Sequence, residues 1–93
     1  MGKKILLVDD DESLRESLAE QLGLHEEFES KGAGTAKEGL DLLEEEYFDV
    51  ILLDVGLPDM DGRDACRLIR RNGVKSPIVM LTRSDTDIDT ILG

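Results

Sequence analysis

The sequence predicts an α/β fold: a doubly wound parallel sheet with helices on both faces. Three observations predict it. Two short apolar runs, Ile5-Leu6-Leu7-Val8 and Val50-Ile51-Leu52-Leu53, are followed by turn signals and read as strands buried on both faces. Strand-like and helix-like stretches alternate from end to end, which implies right-handed crossovers between parallel strands. Both runs also end in carboxylates, the first in Asp9-Asp10-Asp11 and the second in Asp54. Parallel sheets bind ligands outside the carboxyl ends of their strands, so the two acidic ends suggest one acidic pocket. Like charges crowded together need a cation, and an all-oxygen site favours Mg²⁺ or Ca²⁺.

The elements follow in order. Residues 4–8 are the first strand. Residues 12–22 form a helix with Leu14, Leu18 and Leu22 four apart on one face. Gly23 stands just past its end, where a left-handed cap favours glycine. Residues 28–33 are a weaker strand, and Thr35-Ala36-Lys37-Glu38 is a capping box that opens a second helix. Ala36, Leu40 and Leu43 supply the apolar face of that helix. Gly39 within it costs about 1 kcal/mol relative to alanine, which close packing on the sheet would explain. Residues 50–53 are the third strand. Asp61 caps a third helix that turns Ala65, Leu68 and Ile69 inward, ends on Arg70 and Arg71, and is closed by Gly73. Residues 78–81 are the fourth strand, and Ser84-Asp85-Thr86-Asp87 reads as the start of a fourth helix with Ile88, Ile91 and Leu92 facing in.

Composition narrows the function. A chain of 93 residues makes one domain, residues 1–93. Its 22 acidic against 11 basic residues, a net charge of −11, argue against nucleic acid and against an anionic membrane surface. No apolar run is long enough to span a bilayer. The one cysteine, Cys66, fits a reducing cytoplasm and reads as a small packing residue. The one histidine, His25, stands in a charged stretch beside Glu26 and Glu27 and reads as solvated, as does Glu44-Glu45-Glu46.

Three segments carry a family resemblance. Val8-Asp9-Asp10-Asp11, then Leu53-Asp54-Val55-Gly56-Leu57-Pro58-Asp59-Met60-Asp61-Gly62, then Met80-Leu81-Thr82 resemble the receiver domain of bacterial two-component response regulators, in order and over nearly the whole chain. The resemblance implies a flavodoxin-like sheet whose first and third strands are neighbours, with order 2-1-3-4 here and without the family's fifth strand and fifth helix. It places the phosphoacceptor on Asp54. It places the Mg²⁺-site acids on Asp9 and Asp10, with a backbone carbonyl ligand at Gly56, and the switch hydroxyl on Thr82. The implied partner is a sensor histidine kinase or a phosphotransfer protein, met in the cytoplasm without direct contact to nucleic acid or membrane. The Thr86–Gly93 tail resembles regulators with a winged-helix DNA-binding output.

The chain departs from the family where its fourth helix would continue, so the resemblance implies a truncated receiver that lacks a phosphate-contacting lysine. Arg83 follows the switch threonine, where it narrows access to Asp54 or stands in for that lysine. With no fifth strand, the fourth would present an open apolar edge, and self-association through it is expected. Asp11 reads as a helix-terminal acid, and Asp59 and Asp61 as turn and cap residues. Two other functions compete. A haloacid dehalogenase-type phosphatase wants a second aspartate two residues after its nucleophile, and that position is Gly56. A phosphorylation-impaired binding fragment is the other.

Overall fold

The structure, a computed structural model, describes residues 2–25 and 27–81 and, as backbone, 88–91. Lys3–Val8 forms β1, Glu12–Gly23 α1, Phe28–Ala33 β2 and Ala36–Glu45 α2. Val50–Asp54 forms β3, Gly62–Arg71 α3, Ile78–Leu81 β4 and Ile88–Ile91 β5. Each helix starts on the polar residue its sequence offers. The Asp11 carboxylate accepts from the Leu14 N–H at 3.1 Å, Thr35 Oγ1 from the Glu38 N–H at 3.1 Å, and Asp61 from the Arg63 N–H at 2.7 Å. These bonds satisfy N–H groups that a helix leaves without internal partners. Glu38 completes its box one residue early, accepting from the Gly34 N–H at 3.2 Å. At the end of α3, Gly73 takes φ +92°, a conformation costly for any side chain.

The strands form one sheet in the order β2-β1-β3-β4-β5. The first four are parallel, in the expected order 2-1-3-4. β1 lies between β2 and β3, and its register sets Val8 beside Leu53. β3 in turn sets Asp54 beside Leu81 of β4. The direction of travel reverses after β2, so right-handed crossovers send α1 to one face and α2 and α3 to the other.

The two faces are filled unequally. On the α2–α3 face, Leu6, Val8, Ile51, Leu53, Ile78 and Met80 are fully buried and pack with Ala36, Ala65, Cys66 and Ile69. Gly39 belongs to this contact: a Cβ there would lie 2.9 Å from Val8 Cγ2, so glycine lets α2 lie close on β1. On the α1 face Ile5 and Leu7 are buried, but Val50, Leu52, Val79 and Leu81 are only half-buried. None of the residues of α1 is fully buried, and Leu14 is 37% exposed.

Three expectations are corrected. Gly23 does not form a left-handed cap; it is the last helical residue, and Leu24 caps α1 at φ −70°. Residues 88–91 are not helical but form β5, antiparallel to β4 with Ile78 opposite Ile91. Ile88, Thr90 and Ile91 are β-branched, and an adjacent strand edge offers their backbone a ladder that a helix would forgo. The edge of β4 is therefore paired with β5 rather than open.

Candidate functional site

β1 and β3 are neighbours at the centre of the sheet, and both end in acid. After β1 the chain turns toward α1 on one face; after β3 it turns toward α3 on the other. This divergence leaves a crevice at the strand ends, the place where open α/β sheets bind ligands. Asp9, Asp10 and Asp54 meet there, with one carboxylate oxygen from each lying within 4.8 Å of the others. Asp9 is 2% exposed and Asp54 fully buried, whereas Asp10 is exposed.

Backbone groups shape the cluster. Asp9 Oδ1 accepts from the Asp11 N–H at 2.8 Å, a bond that turns the chain from strand to helix. Asp54 Oδ1 accepts from the Gly56 N–H at 3.2 Å. Gly56 pairs with Asp61 in a short antiparallel bridge, so the loop after β3 folds back on itself. Gly62 then crosses the end of β3. A Cβ there would lie 2.3 Å from the Asp54 carbonyl oxygen, and the Gly62 N–H donates to the Val55 carbonyl at 2.7 Å. Only glycine permits this approach, and it fixes the main chain that carries Asp54.

Asp59 does more than make a turn. Its carboxylate accepts from the Ala36 N–H at 2.9 Å and from the Lys37 N–H at 3.0 Å, capping α2 from a loop elsewhere in the chain. Those backbone donors, Ala36 first, hold its pKa below the ordinary carboxylate value despite some desolvation. The loop beside Asp54 is thereby pinned to the first turn of α2.

Of the residues singled out in the sequence, Asp9, Asp10 and Asp54 converge, and Gly56 lies beside them. Thr82 and Arg83 lie outside the described residues; Leu81, beside Asp54, is the last described residue of β4. Asp11, read as a helix-terminal acid, is the N-cap of α1, its carboxylate accepting from the Leu14 N–H. Three contributors carried little sequence signal: Asp59, Gly62 and Arg15, whose guanidinium donates to the Asp9 carbonyl.

Three carboxylates offer oxygen and nothing else, the donor set of a hard divalent cation. Two are buried, where mutual repulsion is weakly screened and a cation relieves it. The residues present fit Mg²⁺.

Known proteins share the fold. Residues 5–92 match the model of the family described as response regulator receiver domain. A receiver domain protein (CheY-like) from Methanospirillum hungatei JF-1 is 35% identical with a TM-score of 0.82, over 88% of this chain and 65% of that one. A Francisella response regulator receiver domain is 25% identical with a TM-score of 0.83, over 90% of this chain and 69% of that one. The Thermotoga maritima response regulator DrrB, an OmpR/PhoB homologue, is 35% identical with a TM-score of 0.77, over 91% of this chain and 38% of that one. The chain thus spans about two thirds of the first two and a smaller share of the third.

Proposed function

We propose that this chain, which belongs to the response regulator receiver domain family, takes a phosphoryl group from a phosphohistidine onto Asp54 with Mg²⁺ at the acidic cluster. The observation that carries this reading is the meeting of Asp9, Asp10 and Asp54, from two strands distant in sequence, within 4.8 Å of one another.

In this reading Asp9 and Asp10 hold the ion together with Asp54 and the Gly56 carbonyl. Bound there, Mg²⁺ supplies positive charge that offsets the phosphoryl oxygens. A carboxylate oxygen of Asp54 attacks phosphorus in line, forming an O–P bond as the N–P bond of phosphohistidine breaks. The imidazole leaves with the electron pair and takes up a proton. Such transfer is mostly positioning and electrostatics, and here the positioning comes from the chain. The Gly56 N–H orients the Asp54 carboxylate, and Gly62 against the Asp54 carbonyl fixes the strand end behind it. Asp54 is fully buried, so transfer requires the side chains around it to part. The product carries added charge and new acceptor oxygens, toward which the Thr82 hydroxyl donates. The donor is a sensor histidine kinase or phosphotransfer protein in the cytoplasm. The likeness to an OmpR/PhoB homologue supports control of transcription as the output of the whole protein. Among the described residues no helix is long and apolar enough to cross a membrane.

The test is incubation with MgCl₂ and acetyl phosphate followed by intact-mass measurement. The expected result is one phosphoryl adduct, stable in acid and labile in base, that is lost in Asp54→Asn. An adduct that persists in Asp54→Asn, or no adduct in the unaltered chain, overturns the assignment. Repeated turnover of phosphate esters would indicate a phosphatase.

A further inference from the structure

Arg15 sits on the first turn of α1, its N–H bonded to the Asp11 carbonyl at 3.0 Å. Its side chain runs toward the sheet, and Nη1 donates to the main-chain carbonyl of Asp9. The path it takes crosses β2 and the turn after it where two side chains are missing. A Cβ at Gly32 would lie 3.1 Å from Arg15 Cδ, and one at Gly34 would lie 3.4 Å from Arg15 Nη1. Gly32 pairs with Leu7, and the Asp9 N–H donates to the Ala33 carbonyl at 3.0 Å. The ends of β1 and β2 and the start of α1 are thus tied at one peptide, the peptide from which the two acidic side chains that follow β1 diverge.

Building on the function proposed above, we propose that Arg15 is a positioning residue for the divalent ion. It holds the Asp9 carbonyl, and with it the turn that aims Asp9 and Asp10 toward Asp54, and the Gly32–Gly34 channel admits its side chain. Groups that orient metal ligands from outside the coordination shell commonly change affinity about 10- to 100-fold when removed. The sign of the effect separates this role from a purely electrostatic one. A cation near a cation site repels the ion, so an arginine that only contributed charge would weaken binding, and its removal would tighten it.

The test is calorimetric titration of the whole chain with MgCl₂, with thermal unfolding of each protein in EDTA. Arg15→Ala is expected to bind Mg²⁺ about tenfold more weakly, with Arg15→Lys recovering part of the loss by donating one bond to the same carbonyl. Gly32→Val keeps the arginine but blocks its channel; it is expected to weaken binding in the same direction and serves as the test should Arg15→Ala fail to fold. Tighter binding in Arg15→Ala, or unchanged binding in both Arg15→Ala and Gly32→Val, overturns the inference while leaving the proposed function standing. A loss of affinity that only follows the metal-free unfolding midpoint across the three variants also overturns it. Failure of the unaltered chain to bind Mg²⁺ overturns the proposed function, and the inference with it.

Discussion

The two ends of the sheet treat charge in opposite ways. At the amino end, Glu46 stands between Lys4 and Lys31 and pairs with both. Asp49 accepts from the Lys4 N–H at 2.8 Å and returns its own N–H to the Lys4 carbonyl at 2.7 Å. Lys4 Nζ also lies 5.5 Å from the centre of the Phe48 ring. Ser76 donates to the Phe48 carbonyl, and Arg70 to the carbonyls of Val74 and Ser76 at 3.0 and 2.7 Å. At the carboxyl end, three carboxylates are gathered instead, two of them buried. One end pairs its charges with residues distant in sequence; the other gathers like charges from two strands. The same strands carry both ends, so their register does two jobs at once.

That contrast can be broken from its structural side first. Gly62→Val drives a side chain into the Asp54 carbonyl, 2.3 Å from where its Cβ would sit. Loss of about 3 kcal/mol or more is expected in urea denaturation. A near-neutral result would mean that the carboxyl end is far less rigid than its contacts require. The electrostatic side comes next. Mg²⁺ at a hundredfold excess over its Kd should stabilise the chain by about 2.7 kcal/mol, read as a rise in the thermal midpoint. The rise should vanish in Asp10→Asn combined with Asp54→Asn. A gain of equal size in that double variant would place the ion elsewhere and remove the contrast.

Two smaller effects sharpen it. Asp59→Ala removes two acceptors from the start of α2 and is expected to cost about 1 kcal/mol. The Asp59 pKa is depressed in the folded chain, so its contribution is complete above the unfolded value, 3.8, and fades as pH falls through the folded one. The smallest change is expected from Glu46→Gln, a slight fall in midpoint at low ionic strength that disappears in high salt. Hydrogen bonds to Lys31 and Lys4 lower the Glu46 pKa, and the bond to Glu46 raises that of Lys31. The pair therefore stabilises between the ordinary values of 4.5 and 10.5. It weakens in acid as Glu46 protonates and in alkali as Lys31 loses its proton. A pH-independent Glu46→Gln effect would show that the amino end is held by packing and not by its charges.

Much of this was legible because it is local. The caps at Asp11, Thr35 and Asp61 lie within three residues of the groups they serve, and the apolar runs of β1, β3 and β4 announce themselves by composition. Gly39 marked a close approach before its neighbour Val8 was known. The acidic ends suggested a shared pocket, but placing them side by side needed the strand order, which came with the family resemblance. What stayed hidden depends on distant partners. Glu46 read as a solvated helix end because Lys4 and Lys31 are remote in sequence, and Asp59 read as a turn residue because α2 is. Residues 88–91 carried a helical spacing of isoleucines that β4 overrode by offering a strand edge.

The pairing of β1 with β3 also sets when, during synthesis, the acidic cluster can form. Lys4 meets Asp49 across 45 positions, so the acidic pocket cannot exist until a long loop has closed. A chain emerging from the ribosome carries Asp9 and Asp10 for some time before Asp54 is synthesised. On the proposed function, ion capture at this rim would report completion of the central strand pair, and a halted translation product ending before residue 54 should bind no metal there however much of β1, α1 and β2 has formed.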